Sequence, residues 1–187
     1  MSSPESLGSG LLRSGPLEFR SLDSEHLGLL HGWLQQPHVR AFWDDGHRTP
    51  EQVQAHYFGP GGDARGFIVS REGRPFAYLQ TYPVEPGTEY ARWMAASGET
   101  WGLDLLIGVL ELTSQGLAAG VIRAFVSQWR QERPGLRRLL VDPDPGNRRA
   151  VRAYRKAGFV PLAGTAPPGH LMLALDLVAL PYQDGGL

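Results

Sequence analysis

Cysteine is absent from the chain, which excludes a disulfide framework, a thiolate zinc site and a cysteine nucleophile together. A dominant charge is absent too. Lysine plus arginine number 18 against 19 acidic residues, for a formal net charge of -1, so the electrostatic footprint of a nucleic-acid binder is missing. No apolar run is long enough to span a bilayer, and the opening MSSPESLGSG lacks the basic and apolar regions of a secretory leader. These absences read as a soluble, unprocessed, cytoplasmic protein with neither nucleic acid nor membrane as partner. His26, His31 and His38 lack the i,i+4 pairing and nearby carboxylate of a ligand set, so no metal is expected.

What is present suits one core. A chain of 187 residues that is 42% hydrophobic can bury one sizeable core but is short for two, and 24 glycines with 15 prolines imply short elements joined by tight turns. Residues 1–15 are rich in Ser, Gly and Pro and read as a flexible tail; their Gly8 and Gly10 follow no strand and make no phosphate loop. The folded domain is expected over 16–180, with a short tail at 181–187.

Within it, PLEFRSL reads as a strand, and Asp23 caps a helix with Leu27, Leu30 and Leu34 on one face, ended by Pro37. Thr49-Pro50-Glu51-Gln52 spells a capping box for a helix running to about Tyr57. Two β-prone runs flank Glu72-Gly73 as a hairpin should. Residues 86–101 have no period and are expected to form a loop, a candidate substrate lid. LDLLIGV after it is too apolar on both sides for an edge strand. A helix to about Gln131 follows, with Leu117, Val121, Phe125 and Trp129 spaced four apart. RRLLVD is a strand, NRRAVRAYRKAG a helix closed by Gly158, and HLMLALDL a final strand alternating at Leu171, Leu173, Leu175 and Leu177. The sum is an α/β protein with one mixed sheet flanked by helices.

The chemistry centres on the apolar strand and the small residues after it. Unpaired N–H groups at a helix start favour a pyrophosphate, and small residues let it approach, although close packing alone also explains such a turn. Thr113-x-x-Gly116-x-Ala118 resembles the phosphate loop Q/R-x-x-G-x-G/A of the GNAT acyltransferases, with Thr113 where glutamine or arginine is usual. A second stretch is similar to that superfamily's N-x-x-A-x-x-x-Y-x-K-x-G-F signature at Asn147, Ala150, Tyr154, Lys156, Gly158 and Phe159. The resemblance implies a GNAT-like fold and acetyl-CoA as acyl donor. It implies coenzyme contacts from the backbone of Leu106 and Ile107, from Gln115, Gly116, Leu117, Ala118, Ala119 and Gly120, and from Asn147 and Tyr154. A tyrosine of pKa about 10 can return a proton to a departing thiolate whose parent pKa is near 8.5, so Tyr154 is the candidate general acid; a core aromatic is the competing role. The basic residues Arg148, Arg149, Arg152, Arg155 and Lys156 read as a solvated helix face, with a functional role open to those near the coenzyme's phosphates.

Over residues 17–178 the chain further resembles aminoglycoside 6′-N-acetyltransferases, through LHGWLQQPHVRAFW, FAYLQTY, GLDLL, VDPDPGN and RAVRAYRKAGF. By position, Asp104 matches that family's active-site aspartate and Asp142 a substrate-binding one; Gln80, Glu89 and Trp43 fall at further substrate contacts. Carboxylates suit a polycationic amine, each charge-assisted hydrogen bond contributing roughly 1.5–3 kcal/mol. Asp142 also opens D-P-D-P, where aspartate serves turns; Asp104, flanked by leucines in an apolar strand, requires a partner or a role. The expected reaction is direct attack of the amine on acetyl-CoA in a ternary complex, in a monomer or homodimer. Two rivals are carried. A siderophore-pathway N-acyltransferase for a hydroxylysine-type amine is resembled by W-L-Q-Q-P-H-V-R-A-F-W, but that family has histidine at the position of Asp104. The other rival is a non-catalytic coenzyme or cation-binding module.

Overall fold

A computed structural model of the chain describes residues 15–43, 46–59, 64–163 and 169–178. The strands are β1 (Leu17–Ser21), β2 (Arg65–Arg71), β3 (Arg74–Pro83), β4 (Glu99–Ile107), β5 (Leu136–Val141), β6 (Val160–Pro161) and β7 (Leu173–Asp176). The helices are α1 (Leu27–Leu34), α2 (Pro37–Arg40), α3 (Pro50–Phe58), α4 (Leu117–Glu132) and α5 (Arg148–Ala157). One seven-stranded sheet runs in the order β1-β2-β3-β4-β5-β7-β6. β1 with β2, β5 with β7 and β6 with β7 are antiparallel, while β4 and β5 are parallel, so the sheet is mixed as expected.

Local signals account for most of these elements. Glu72 (φ 51°) and Gly73 (φ 70°) are both left-handed, the condition for the two-residue turn that matches strand twist in a hairpin. Thr49 Oγ1 accepts from the Gln52 N–H while Gln52 Oε1 accepts from the Thr49 N–H, so the capping box sets the start of α3. Gly158, at φ 108°, closes α5 in a conformation that a side chain would strain.

The chain forms two compact units, with β2, β3, β4 and α4 contributing residues to both. One contains the described residues up to Gly59 together with Gly66–Leu79 and Leu105–Leu117. Its core joins Leu30, Leu34, Val53, Ile68 and Tyr78, all essentially inaccessible to water. Trp33 lies so close over Gly108 that a Cβ there would meet its ring at 2.2 Å. The other contains Gln80–Asp104 and the described residues from Ala118 onward. In it Trp129 of α4 stacks on Phe125 and meets Trp101 of β4 edge-on, with both ring centroids 5.5 Å away. This fixes which way β4 faces: Trp101 and Leu103 point to α4, and Thr100, Gly102 and Asp104 to the opposite side of the sheet.

Three expectations need correction. The segment 86–101 is not all loop: a 3₁₀ turn occupies Ala91–Trp93, and β4 already begins at Glu99, where it pairs with Leu136 of β5. The final strand is shorter than the HLMLALDL pattern, and Leu173 and Ala174 are both buried because β7 lies inside the sheet between β5 and β6. β6, two exposed residues, was not foreseen, being too short to show a period. The expected tails at 1–15 and 181–187 lie outside the described residues except for Gly15. Among the described residues, no helix is long and apolar enough to cross a membrane, and no three His, Cys, Asp or Glu side chains are grouped to hold a metal ion.

Candidate functional site

The face of β4 that carries Asp104 is built by its neighbours in the sheet. Gln80 on β3 donates from Nε2 to Asp104 Oδ2 at 2.8 Å, supplying the partner that a carboxylate in an apolar strand requires. Two residues on, Tyr82 lies close against Gly102, where a Cβ would come within 2.2 Å of the tyrosine ring. Glycine at 102 is what lets the ring settle beside the acid. On the other side, Gly102 is in register with Leu140 of β5, which ends at Val141 and delivers Asp142 to the same region.

Asp142 is half-buried and engaged on one side. Tyr90 Oη donates to its Oδ2 at 2.7 Å. His170 Nδ1 lies 2.9 Å from the Asp142 main-chain carbonyl and 3.4 Å from Oδ2. Tyr90 is held there by the turn that follows it, because Arg138 of β5 donates to the Trp93 carbonyl at 2.8 Å and Arg92 stacks over the Trp93 ring. Tyr82, Tyr90, Gly102, Leu140, Asp142 and Met172 line a small cleft. The turn role open to Asp142 in D-P-D-P belongs instead to Asp144, whose side chain accepts from the Gly146 N–H at 2.6 Å and whose carbonyl accepts from Asn147.

The electrostatics follow from burial. Desolvation raises the Asp104 carboxyl from its ordinary 3.8 to about 6; the Gln80 hydrogen bond opposes the rise, and the negative charge of Asp142 adds to it. The Tyr82 hydroxyl is pushed upward by burial first and then by Asp104 and Asp142, and that of Tyr90 by burial and by its bond to Asp142. Both phenols therefore remain protonated donors at neutral pH. The charge of Asp104 is met by a neutral amide rather than by an arginine or lysine, so the site is electronegative and able to attract a cation.

Tyr154 and Asn147 sit on α5. Asn147 is the N-cap, its side chain accepting from the Ala150 N–H at 3.1 Å. Tyr154 is buried and edge-on to Phe159, and its charge state is felt by Tyr82.

The loop leading into α4 has Ser114 (φ 63°) and Gly116 (φ 76°) in left-handed conformations. Thr113 Oγ1 donates to the Leu110 carbonyl at 2.7 Å and Gln115 Nε2 to the Glu111 carbonyl at 2.6 Å, so both side chains brace the loop itself. Of the residues that follow, Ala119 is buried, Leu117, Ala118 and Gly120 are half-buried, and a Cβ added at Gly120 would meet nothing within 4 Å.

In the other compact unit, Leu106 is a core residue and the Ile107 carbonyl accepts from His38 Nε2 at 2.9 Å. Trp43 is half-buried, its Nε1 donating to Tyr57 Oη at 2.9 Å. The structure thus brings together Gln80, Asp104 and Asp142. Glu89 is exposed in the loop beside Tyr90, and its charge contributes to the raised hydroxyl of that tyrosine. Tyr82, Tyr90, His170 and His38 were not singled out from sequence as site residues. Only Tyr82 had a readable signal, its place two residues after Gln80 on the same strand face.

Comparison with known proteins gives the chain's family and fold. Residues 23–165 match the model of the acetyltransferase (GNAT) domain family. Aminoglycoside N(6′)-acetyltransferase type 1 of Klebsiella pneumoniae is 31% identical over 146 residues, covering 74% of this chain and 71% of that protein. The lysine N-acyltransferase MbtK of Mycolicibacterium paratuberculosis is 29% identical over 133 residues, 67% of this chain and 57% of that one. Among solved structures, aminoglycoside acetyltransferase AAC(6′)-Ib in complex with coenzyme A and kanamycin superposes with a TM-score of 0.75 at 25% identity, covering 86% of this chain and 95% of its own.

Proposed function

We propose a substrate and a mechanism for this chain, which belongs to the GNAT acetyltransferase family. It is an acyltransferase that moves an acetyl group from acetyl-CoA to a primary amine of a polycationic small molecule, an aminoglycoside acetylated at its 6′-amine. The observation that carries this reading is the pair of acids, Asp104 beside a neutral amide and Asp142 at the rim of an aromatic cleft. A polycation supplies the positive charge such a site lacks. The aminoglycoside N(6′)-acetyltransferase relative and the AAC(6′)-Ib complex with coenzyme A and kanamycin support the same substrates.

The residues present fit the coenzyme. α4 is a 16-residue helix whose first amides have no partner within the helix, and the open space at Gly120 leaves a path to them. The amides of Gln115 to Gly120 receive the phosphates. The β4 backbone at Leu106 and Ile107 lines the acyl arm, an N–H there steadying the oxyanion. Asn147 uses its Oδ1 as the helix cap, so the contact to the arm falls to its Nδ2.

Asp104 and Asp142 bind and orient the substrate, with Gln80 and Glu89 at its periphery; for Trp43 a substrate contact is what the family resemblance implies. Asp104, its carboxyl raised to about 6, is a better match for an ammonium proton than an ordinary aspartate and takes that proton directly or through water. The freed nitrogen attacks the thioester carbonyl, the C–S bond breaks, and Tyr154 donates a proton to the thiolate. The nitrogen loses its remaining extra proton as the amide forms; of the two protons it gives up, one restores the Tyr154 hydroxyl and the other leaves Asp104 for solvent. No covalent enzyme intermediate is needed.

The test is release of free CoA thiol from acetyl-CoA with kanamycin, with hydroxylysine and with no amine. Turnover that depends on kanamycin is expected. Turnover confined to hydroxylysine would move the chain to the siderophore-type reaction, and none with either would leave a binding module.

A further inference from the structure

Two side chains that none of the family motifs singles out are attached to Asp142. Tyr90 reaches it from 52 residues earlier in the chain and His170 from 28 residues later. Both engage the same side: Tyr90 Oη donates to Oδ2, and His170 lies 3.4 Å from Oδ2 while its Nδ1–H donates to the main-chain carbonyl of the same residue. Since a carboxylate accepts through two oxygens, this leaves Oδ1 as the group able to meet a ligand. We propose that Tyr90 and His170 are positioning residues for acceptor recognition, locking the Asp142 carboxylate so that Oδ1 is presented to an ammonium of the substrate.

The proposal rests on the reading of Asp142 as an amine contact. The half-buried Asp142 carboxylate would otherwise rotate between orientations, and the hydrogen bond from Tyr90, charge-assisted and short, selects one. That bond needs a protonated phenol, which the upward displacement of the Tyr90 hydroxyl guarantees at neutral pH. Tyr90 also shares the cleft with Asp142, so loss of its hydroxyl leaves the ring wall in place. His170, by fixing the main-chain carbonyl, holds the peptide from which the carboxylate projects.

The experiment is a double-mutant cycle of Tyr90→Phe and Asp142→Asn in the full chain, with steady-state kinetics on kanamycin and acetyl-CoA. Asp142→Asn should raise the kanamycin KM by about tenfold and Tyr90→Phe by about fivefold, the latter with kcat and the acetyl-CoA KM within about twofold of wild type. The double variant should be no worse than Asp142→Asn alone, because Tyr90 acts only through the carboxylate. His170→Ala should resemble Tyr90→Phe. A raised KM in Asp142→Asn with wild-type behaviour in Tyr90→Phe overturns the positioning role and leaves Asp142 as an amine contact. Additive effects overturn it equally, since Tyr90 would then act independently. If Asp142→Asn itself binds kanamycin as wild type does, the reading of Asp142 fails and the proposal with it. Melting curves with saturating acetyl-CoA report whether each variant is folded.

Discussion

Asp104→Asn should make the protein more stable and less active at the same time, and the size of the first effect follows from the structure. The carboxyl stands at about 6 in the fold against an ordinary 3.8, chiefly because burial disfavours its charge. At about 1.36 kcal/mol per pH unit, that difference is worth up to about 3 kcal/mol. Its sign is fixed by linkage. The folded state binds the proton more tightly than the unfolded chain, so this contribution is fully present below pH 3.8 and is lost as pH rises through about 6. At pH 8 the wild type therefore carries a strained carboxylate that asparagine removes while remaining able to bond Gln80. Thermal melts of both proteins at pH 8 and pH 4 test this. The variant should melt higher by roughly 5–10 °C at pH 8, and the gap should close toward pH 4. Its kcat/KM for kanamycin should fall by about 10²-fold, and the wild type should lose activity as Asp104 protonates below about pH 6. A variant that melts lower at pH 8 would show that the carboxylate holds the fold together, and an undiminished kcat/KM would remove it from the reaction.

Tyr154→Phe keeps the buried ring against Phe159 and removes only the hydroxyl, so kcat should drop by about 10²-fold with the acetyl-CoA affinity nearly unchanged; an unaltered kcat would make Tyr154 a packing residue. Gly116→Val places a β-branched side chain at φ 76°, which strains the loop by roughly 1–3 kcal/mol and crowds the phosphate path. Acetyl-CoA should then raise the melting temperature of Gly116→Val far less than that of the wild type, and an equal rise would place the phosphates elsewhere.

Features encoded over a few residues were legible in the sequence, and features encoded by pairing across the sheet were not. The Thr49 capping box and the Glu72-Gly73 turn need only neighbours, and both formed as read. Asp104 was legible for the opposite reason, because a carboxylate among leucines is costly unless something compensates it. That its compensation is Gln80 depends on the register of β3 against β4, which no local pattern states. Asp142 was ambiguous between turn and site until the structure gave the turn to Asp144. Tyr90 sits in a stretch without period, and it meets Asp142 through a turn anchored by Arg138 at the Trp93 carbonyl and by Arg92 over the Trp93 ring. His38 was weighed as a metal ligand and set aside, yet it holds the carbonyl at the end of β4, 69 residues away. β6 is too short to carry any pattern, and the start of β4 at Glu99 is dictated by its partner Leu136 rather than by hydrophobicity.

The central claim is acetyl transfer from acetyl-CoA to the 6′-amine of a polycation. It is met most directly by identifying the product. The wild-type chain is incubated with acetyl-CoA and kanamycin, and the antibiotic is analysed by mass spectrometry and NMR while free CoA thiol is counted. A single acetyl group on the 6′-amine, with one thiol released per molecule modified, is the predicted result. Unmodified kanamycin, or thiol released at the same rate without it, would contradict the account.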